Sequence, residues 1–148
     1  MISLLDVNVL VALAWPNHLQ HEAALRWFRE HRSAGWATCP ITQSGFVRTS
    51  SNRNVIQEAK SPREALLVLQ RIVARPGHRF WMDDIAIASA EEVEPSRLVG
   101  YRQVTDAHLL ALAIRRNGRL ATFDAGIHEL VPEGRSPEEV VCLLSRAR

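Results

Sequence analysis

The sequence has 148 residues, of which 47% are hydrophobic and 23% are charged, and its net charge is +2. A chain of this size can bury on the order of 70% of its unfolded surface, so these values indicate a single globular domain over residues 1–148 and exclude intrinsic disorder. No apolar stretch approaches the ~20 residues that cross a bilayer, and the start MISLLDVN lacks the basic region of a secretory signal. We therefore expect a cytoplasmic protein that does not enter a membrane.

The first half of the chain alternates short apolar strands with helices. The pattern predicts a strand over residues 2–5, helices over 7–15 and 21–31, a strand over 35–39 and a helix over 42–50. Pro16 and Pro40 mark the ends of the first helix and the second strand. Cys39 and Cys142 lack C-x-x-C spacing and stand among apolar residues, which favours buried thiols over a disulfide or a zinc site.

The second half continues the alternation. Ser61 with Glu64 has the spacing of a capping box, which predicts a helix that runs to about residue 74. A strand follows over 79–82, then a short helix over 84–92, a strongly apolar helix over 105–117 with Gly118 as its C-cap, and strands over 119–123 and 140–144. Strands that alternate with helices predict an α/β fold, a mainly parallel central sheet with helices on both faces.

Three aspartates fall where such a sheet binds ligands, at the carboxyl ends of strands or the start of a helix. Asp6 ends the first strand, Asp124 follows the strand over 119–123, and Asp106 begins the apolar helix. Three carboxylates that lie close together repel one another unless a cation neutralises them, and Mg²⁺ or Mn²⁺ prefers such oxygen ligands. Each aspartate alone also has a structural explanation, as a helix cap or a turn residue, and only the set favours a metal site.

The sequence resembles the PIN-domain ribonucleases, and in particular the VapC-type toxins of bacterial toxin–antitoxin pairs. The resemblance covers nearly the whole chain and rests on four motifs in order: LLDVNVLVAL, CPITQSGFVRTSSN, VTDAHLLALA and LATFDAGI. It implies a three-layer α/β/α sandwich whose acidic pocket binds Mg²⁺ or Mn²⁺ and cleaves single-stranded or looped RNA. Asp6, Asp106 and Asp124 match the acidic positions of the family and are the expected metal ligands.

One position departs from that pattern. Many relatives have a glutamate in the segment after the second strand, where this chain has Gln43, whose neutral amide cannot replace the charge. We expect Gln43 and Thr122 to orient a metal-bound water at the catalytic site, with Thr122 on the same strand face as Asp124. The resemblance also places Arg48 beside the pocket, where it would bind an acid or a phosphate, although an ordinary surface position is equally consistent with it.

Together with the three aspartates, the resemblance implies a metal-dependent endoribonuclease toxin, with RNA as substrate, a small antitoxin as partner and a homodimer as the assembly. Two alternatives stay open: an α/β phosphohydrolase with Asp6 as covalent nucleophile, and a PIN-like RNA-binding module weakened by the loss of the glutamate. His18 and His21 have the spacing of a metal pair, but their loop context favours a structural role. Core or subunit-interface packing accounts for the four tryptophans better than base stacking does.

Overall fold

The computed structural model describes residues 1–57 and 59–145. Its strands are β1 Ser3–Leu5, β2 Trp36–Thr38, β3 His78–Phe80, β4 Arg119–Thr122 and β5 Val141–Leu143. Its helices are α1 Val7–Ala14, α2 His21–His31, α3 Pro40–Ser50, α4 Pro62–Val73, α5 Val104–Arg115 and α6 Pro137–Val140. Apart from the predicted helix over residues 84–92, which is absent, and the short helix α6, which the sequence did not predict, these elements match the predicted alternation, with strand ends shifted by one or two residues.

The five strands form one parallel sheet in the order β3-β2-β1-β4-β5. In the centre of the sheet, Leu4 pairs with Ala37 on one side and with Leu120 on the other. Side chains alternate between the two faces of each strand. Leu4 and Leu120 pack against α5, whereas Leu5 and Ala121 pack against α1 and α2, so the three-layer α/β/α prediction is confirmed.

The direction of strand addition reverses beside β1. The chain builds outward from β1 to β2 and β3, then returns to place β4 and β5 on the opposite side of β1. Parallel sheets bind ligands at such a switch point, in the crevice outside the carboxyl ends of the two strands. This topology directs attention to the residues that follow β1 and β4.

The predicted helix over residues 84–92 is wrong, because this segment consists of turns and irregular backbone. Asp83 accepts a hydrogen bond from the backbone N–H of Ile85 at 3.0 Å, an arrangement that competes with helix formation. Arg115 of α5 holds the segment in place by hydrogen bonds at 2.8–3.0 Å, which it donates to the Glu92 carboxylate and to the carbonyl of Asp84. Tertiary contacts with α5 thus replace the local hydrogen bonds that a helix would have made.

The capping residues at two helix ends also differ from the prediction. Helix α3 begins at Pro40 rather than at residue 42, because Pro40 occupies the first turn and the hydroxyl of Thr42 accepts from the Cys39 N–H at 2.9 Å. At the end of α5 the left-handed residue is Asn117, with φ 56°, and not Gly118. Gly118 serves close packing instead, since a Cβ there would lie 2.6 Å from the carbonyl oxygen of Ile2 and from the Trp81 ring. The predicted Ser61 cap is confirmed.

Candidate active site

Asp6 lies between the end of β1 and the start of α1 and is only 7% exposed. Its Oδ1 accepts a hydrogen bond from the Val7 N–H at 2.7 Å, so it caps α1. Its Oδ2 accepts from the hydroxyl of Thr122 at 2.7 Å and more weakly from the Asn8 amide at 3.4 Å. The carboxylate is therefore held in one orientation from both sides.

Thr122 and Asn8 join the ends of β1 and β4. The Thr122 hydroxyl donates to Asp6 and accepts from the Asp124 N–H at 3.0 Å and from the Asn8 amide at 3.2 Å. Asn8 also accepts from the Phe123 N–H at 3.2 Å. This network crosses the switch point and fixes the turn after β4 against α1. The hydroxyl proton of Thr122 is directed at Asp6, so Thr122 orients this carboxylate.

Asp124 is exposed and opens the turn after β4. Its Oδ1 accepts from the Gly126 N–H at 2.8 Å, as expected for an Asp-Ala-Gly turn. Among the described residues, its Oδ2 has no hydrogen-bond donor within reach. One carboxylate oxygen thus remains available at the carboxyl edge of the sheet.

Asp106 comes to the same edge from the other side of the sheet. Helix α5 precedes β4 and runs antiparallel to it, so the first turn of α5 lies above the carboxyl ends of the strands. Gln103 is the N-cap residue of α5, and no side chain makes a capping hydrogen bond there. Asp106 is half-buried, and no donor bonds its carboxylate within the described part of the chain.

The three carboxylates influence one another electrostatically. Burial, together with the charges of Asp6 and Asp124, raises the pKa of Asp106 to about 6. Burial also raises the pKa of Asp6, helped by the charge of Asp124 and opposed by the hydrogen bonds from Thr122 and Val7. A site that disfavours its own ionisation in this way is stabilised by an added cation.

The donor set fits a hard divalent cation. Over residues 1–57 and 59–145, no three His, Cys, Asp or Glu side chains are close enough together to surround one ion. Mg²⁺ does not require such a cage, because it uses one or two carboxylates and completes its shell with water and phosphate oxygens. The unbonded carboxylate of Asp106 and the free oxygen of Asp124 suit this kind of binding.

Gln43 lies at the same edge of the sheet, on α3. Its amide nitrogen donates to the hydroxyl of Thr38 at 3.0 Å, and that hydroxyl also bonds His78 at 2.7 Å. Thr38 is the last residue of β2, which is the neighbour of β1, so Gln43 is next to the strand that leads to Asp6. Gln43 has no hydrogen bond to the three aspartates among the described residues. Arg48, on the same helix, is exposed.

The PIN domain family matches residues 3–131 of the chain. The chain belongs to the PIN domain family. Ribonuclease VapC39 of Mycobacterium tuberculosis is 48% identical over 134 residues, which are 90% of this chain and 96% of that protein. Ribonuclease VapC38 of the same species is 46% identical over 144 residues, 97% of this chain and 100% of that protein.

Two solved structures share the fold of this PIN domain. The VapBC2 complex from Rickettsia felis, bound to a promoter DNA fragment, has a chain that matches with a TM-score of 0.68 and 12% identity, covering 98% of this chain and 100% of that one. A chain of FitAB bound to an IR36 DNA fragment matches with a TM-score of 0.54 and 20% identity, covering 97% of this chain and 94% of that one. No described helix of the PIN domain has the length and apolar character needed to span a bilayer.

The remaining candidates have structural roles in the PIN domain. His21 bonds the carbonyl of Ala12 at 2.8 Å and His18 accepts from the Gln20 N–H at 3.0 Å, so both stabilise the entry to α2. Cys39 is buried, Cys142 is half-buried, and both are free thiols. Three tryptophans belong to the core, and Trp15 is half-buried against Phe46, which agrees with the packing interpretation.

Asn8 is the site residue that the sequence did not assign a role. It bonds Asp6, Thr122 and the Phe123 N–H, and two of these partners lie more than 110 positions away in the sequence. The feature of the sequence that could have indicated this role is the amide of Asn8 in the first turn of the otherwise apolar helix α1. Such a side chain needs partners when it is partly buried, so its position predicts a hydrogen-bonding role near Asp6.

Proposed function

We propose that this PIN domain is the toxin of a toxin–antitoxin pair, an endoribonuclease that hydrolyses RNA phosphodiester bonds with Mg²⁺ or Mn²⁺ bound where Asp6, Asp106 and Asp124 lie, one or two of these carboxylates as direct ligands and the rest through coordinated water. The observation that carries the proposal is the placement of these carboxylates after β1, after β4 and at the start of α5, where the charges of Asp6 and Asp124 act with burial to raise the pKa of Asp106 to about 6. The VapC relatives support the same reaction, because they are ribonucleases that match nearly the whole chain.

Each side chain has a distinct part in the proposed reaction. A divalent cation bound at this site supplies charge for the phosphate and lowers the pKa of a coordinated water. Asp106 and Asp124 present oxygens free of strong hydrogen bonds. Asp6 is kept in a single orientation by the Thr122 hydroxyl and the Val7 N–H, and Asn8 holds the turn after β4 in place. Preorganisation of this kind avoids rearrangement during the reaction.

The phosphohydrolase alternative fits the geometry poorly. A covalent nucleophile needs an accessible carboxylate oxygen, but both oxygens of Asp6 accept hydrogen bonds and the residue is 7% exposed. An oxygen that accepts strong hydrogen bonds is a weaker nucleophile. Asp6 is thus better suited to a buried, fixed ligand position.

The partners belong to the same proposal. We infer a cytoplasmic toxin that pairs with a small antitoxin protein and forms a homodimer. Small-angle scattering at micromolar concentration tests the dimer, since a monomeric mass under those conditions would contradict it. A reading frame for a small DNA-binding protein directly upstream of this gene would support the antitoxin assignment.

Cleavage of RNA by purified variants tests the function itself. Asp6→Asn, Asp106→Asn and Asp124→Asn should each abolish cleavage, because each removes one charge from the proposed metal site, and EDTA should have the same effect on the wild type. Glu129→Gln is the matched control, since Glu129 is an exposed acid on the same 3₁₀ turn that Asp124 opens. Full activity in Asp6→Asn would refute the site assignment.

The inactive-module alternative predicts a different result. Gln43 replaces the usual acid, and a module weakened by that change would bind RNA without Mg²⁺-dependent cleavage at any concentration of protein. RNA binding without cleavage, in preparations whose fold is intact by circular dichroism, would replace the proposal with this alternative.

A further inference from the structure

A group of exposed apolar side chains spans the start of α5. Val99 is 90% exposed, Tyr101 81% and Val104 44%, all within six consecutive residues. Exposed apolar side chains grouped in this way commonly mark binding surfaces. Tyr101 is also the only tyrosine of the chain.

The backbone under these side chains is well defined. Residues 101–103 form a 3₁₀ turn that continues directly into α5. The Gln103 side chain accepts from the N–H groups of Val99 and Gly100 at 2.7 and 3.0 Å, and the Gln103 N–H donates to the Gly100 carbonyl at 3.1 Å. Tyr101 is therefore exposed on a braced turn that is continuous with a buried helix.

Arg102 adds a cation to this surface. Its Nε donates to the Tyr101 hydroxyl at 3.3 Å, and its guanidinium carbon lies 5.7 Å from the centre of the tyrosine ring. Three other arginines, Arg97, Arg115 and Arg116, are paired with the acids Glu94, Glu92 and Asp84 respectively. Arg102 has no carboxylate within 4.0 Å among the described residues, so its charge is available to a phosphate.

This surface is close to the acidic site. At rises of about 2.0 Å per residue in the 3₁₀ turn and about 1.5 Å in the helix, Tyr101 and Asp106 are roughly 9 Å apart along the axis. Arg102 precedes Asp106 by four residues and Tyr101 by five, so both belong to the turn that leads directly into the helix of Asp106. This short axial separation puts the turn within reach of an RNA strand that is bound at Asp106.

We propose that Tyr101 and Arg102 form a platform for the nucleotide next to the scissile phosphate, with its base stacked on the tyrosine ring and its phosphate bound by the guanidinium. The proposal rests on the ribonuclease function proposed above. Single-stranded nucleic acids are held in this way, by stacking on aromatic rings and by contacts between arginine and phosphate. Charge complementarity favours RNA over a protein at this surface, because the platform combines an unpaired cation with an aromatic face.

The test measures RNA binding in the Asp124→Asn background with Mg²⁺, by fluorescence anisotropy of a labelled pool of short single-stranded oligoribonucleotides. Tyr101→Ala should weaken binding about tenfold, and Tyr101→Phe should bind within about twofold of its parent, because stacking needs only the ring. Phe80→Ala is the matched control: Phe80 is an aromatic residue, 51% exposed, on the edge strand β3. It should bind like its parent.

Arg102 has a readout of its own. Arg102→Ala should reduce the slope of log affinity against log salt by about one, and Arg102→Lys should keep the slope, as expected for one phosphate contact. Arg29→Ala, an exposed arginine on α2, should leave the slope unchanged. Unchanged binding in Tyr101→Ala, or an unchanged slope in Arg102→Ala, would overturn the platform.

Cleavage of the same oligonucleotides separates the two proposals. If the wild type cleaves them and Tyr101→Ala cleaves with an unaltered KM, only the platform fails. If the wild type neither binds nor cleaves RNA, the proposed function fails and the platform fails with it. If Tyr101→Ala loses binding to a protein partner while its RNA binding is unchanged, the surface belongs to that partner and the platform is refuted.

Discussion

Thr122 shows how a single hydroxyl organises the acidic site. It donates to Asp6 at 2.7 Å and accepts from Asn8 and from the Asp124 N–H, so three site residues depend on it. The hydrogen bond from Thr122 also lowers the pKa of Asp6 and offsets part of the effect of burial. A residue with these contacts has a larger role than its short side chain suggests.

Replacing Thr122 with valine, which has the same shape, removes this hydroxyl. We expect Thr122→Val to lower the free energy of unfolding by about 1–3 kcal/mol, because buried polar groups lose their partner. RNA cleavage should also fall by about tenfold or more, since Asp6 is no longer oriented. Urea unfolding and initial cleavage rates measure the two effects. Thr122→Ser is the control and should keep most of the stability and most of the cleavage activity. A valine variant as active as the wild type would contradict the orienting role.

Asp106 contributes to the pH dependence of stability with a definite sign. Its pKa in the folded protein is raised to about 6 from an ordinary value of 3.8, so the folded state binds this proton more tightly than the unfolded state does. The group therefore favours folding below the unfolded pKa, and this contribution is lost as pH rises through about 6. In EDTA, the melting temperature of Asp106→Asn should be above that of the wild type at about pH 8, and the two melting temperatures should approach each other near about pH 4. A difference in melting temperature that is constant over this range would exclude Asp106 as its source.

Gln43 has a neutral amide at a position where many relatives have an acid, and this difference in charge allows a test. A glutamate here would add one negative charge at the sheet edge, so Gln43→Glu should tighten Mn²⁺ binding without RNA and lower the Mn²⁺ concentration for half-maximal cleavage. Gln43→Met keeps the length without the charge and should do neither. Calorimetry with Mn²⁺ measures the affinity. If Gln43→Glu leaves the affinity unchanged, the side chain does not face the metal site and stays bonded to Thr38, as in the hydrogen bond seen here.

The sequence predicted that Asp6 and Asp124 follow two strands of the sheet, but not the hydrogen bonds that Asn8 and Thr122 make around them. Residues that follow parallel strands share one edge, and this rule locates Asp6 and Asp124 without coordinates. The contacts of Asn8 and Thr122 span more than 110 residues of chain, and no local pattern encodes them. The same limit explains the wrong helix over 84–92, where contacts with Arg115 override the local pattern.

At the level of elements, α3 and α1 meet at Gly45. A Cβ at this position would lie 2.6 Å from the Cγ2 of Val7, closer than real Cβ contacts allow. Val7 is the first residue of α1 and its N–H bonds Asp6, so the packing of the two helices is linked to the site. A branched side chain cannot swing away as a flexible one would.

Gly45→Ala should therefore lower the free energy of unfolding by about 1–3 kcal/mol through overpacking, despite the better helix propensity of alanine. Cleavage should fall as well, because the start of α1 must shift. Ser44→Ala, at an exposed position of the same helix, should be nearly neutral. Urea unfolding of the two single variants and the double variant measures the coupling, and the double variant with Val7→Ala should recover stability. If it does not, the loss of stability in Gly45→Ala does not come from contact with Val7.

For the whole molecule, the carboxylates are a source of instability that a ligand relieves. Ligands that bind only the folded state stabilise it by about 2.7 kcal/mol at one hundred times their dissociation constant. For a domain of this size that corresponds to a rise in melting temperature of roughly 5–10 °C. We expect Mg²⁺ or Mn²⁺ to produce such a rise in the wild type and in Glu129→Gln, and a smaller one in Asp6→Asn, Asp106→Asn and Asp124→Asn. Calorimetric scans with and without EDTA measure it. Because each aspartate variant loses one carboxylate of the proposed site, equal rises in wild type and in any one variant would remove that residue from the metal site.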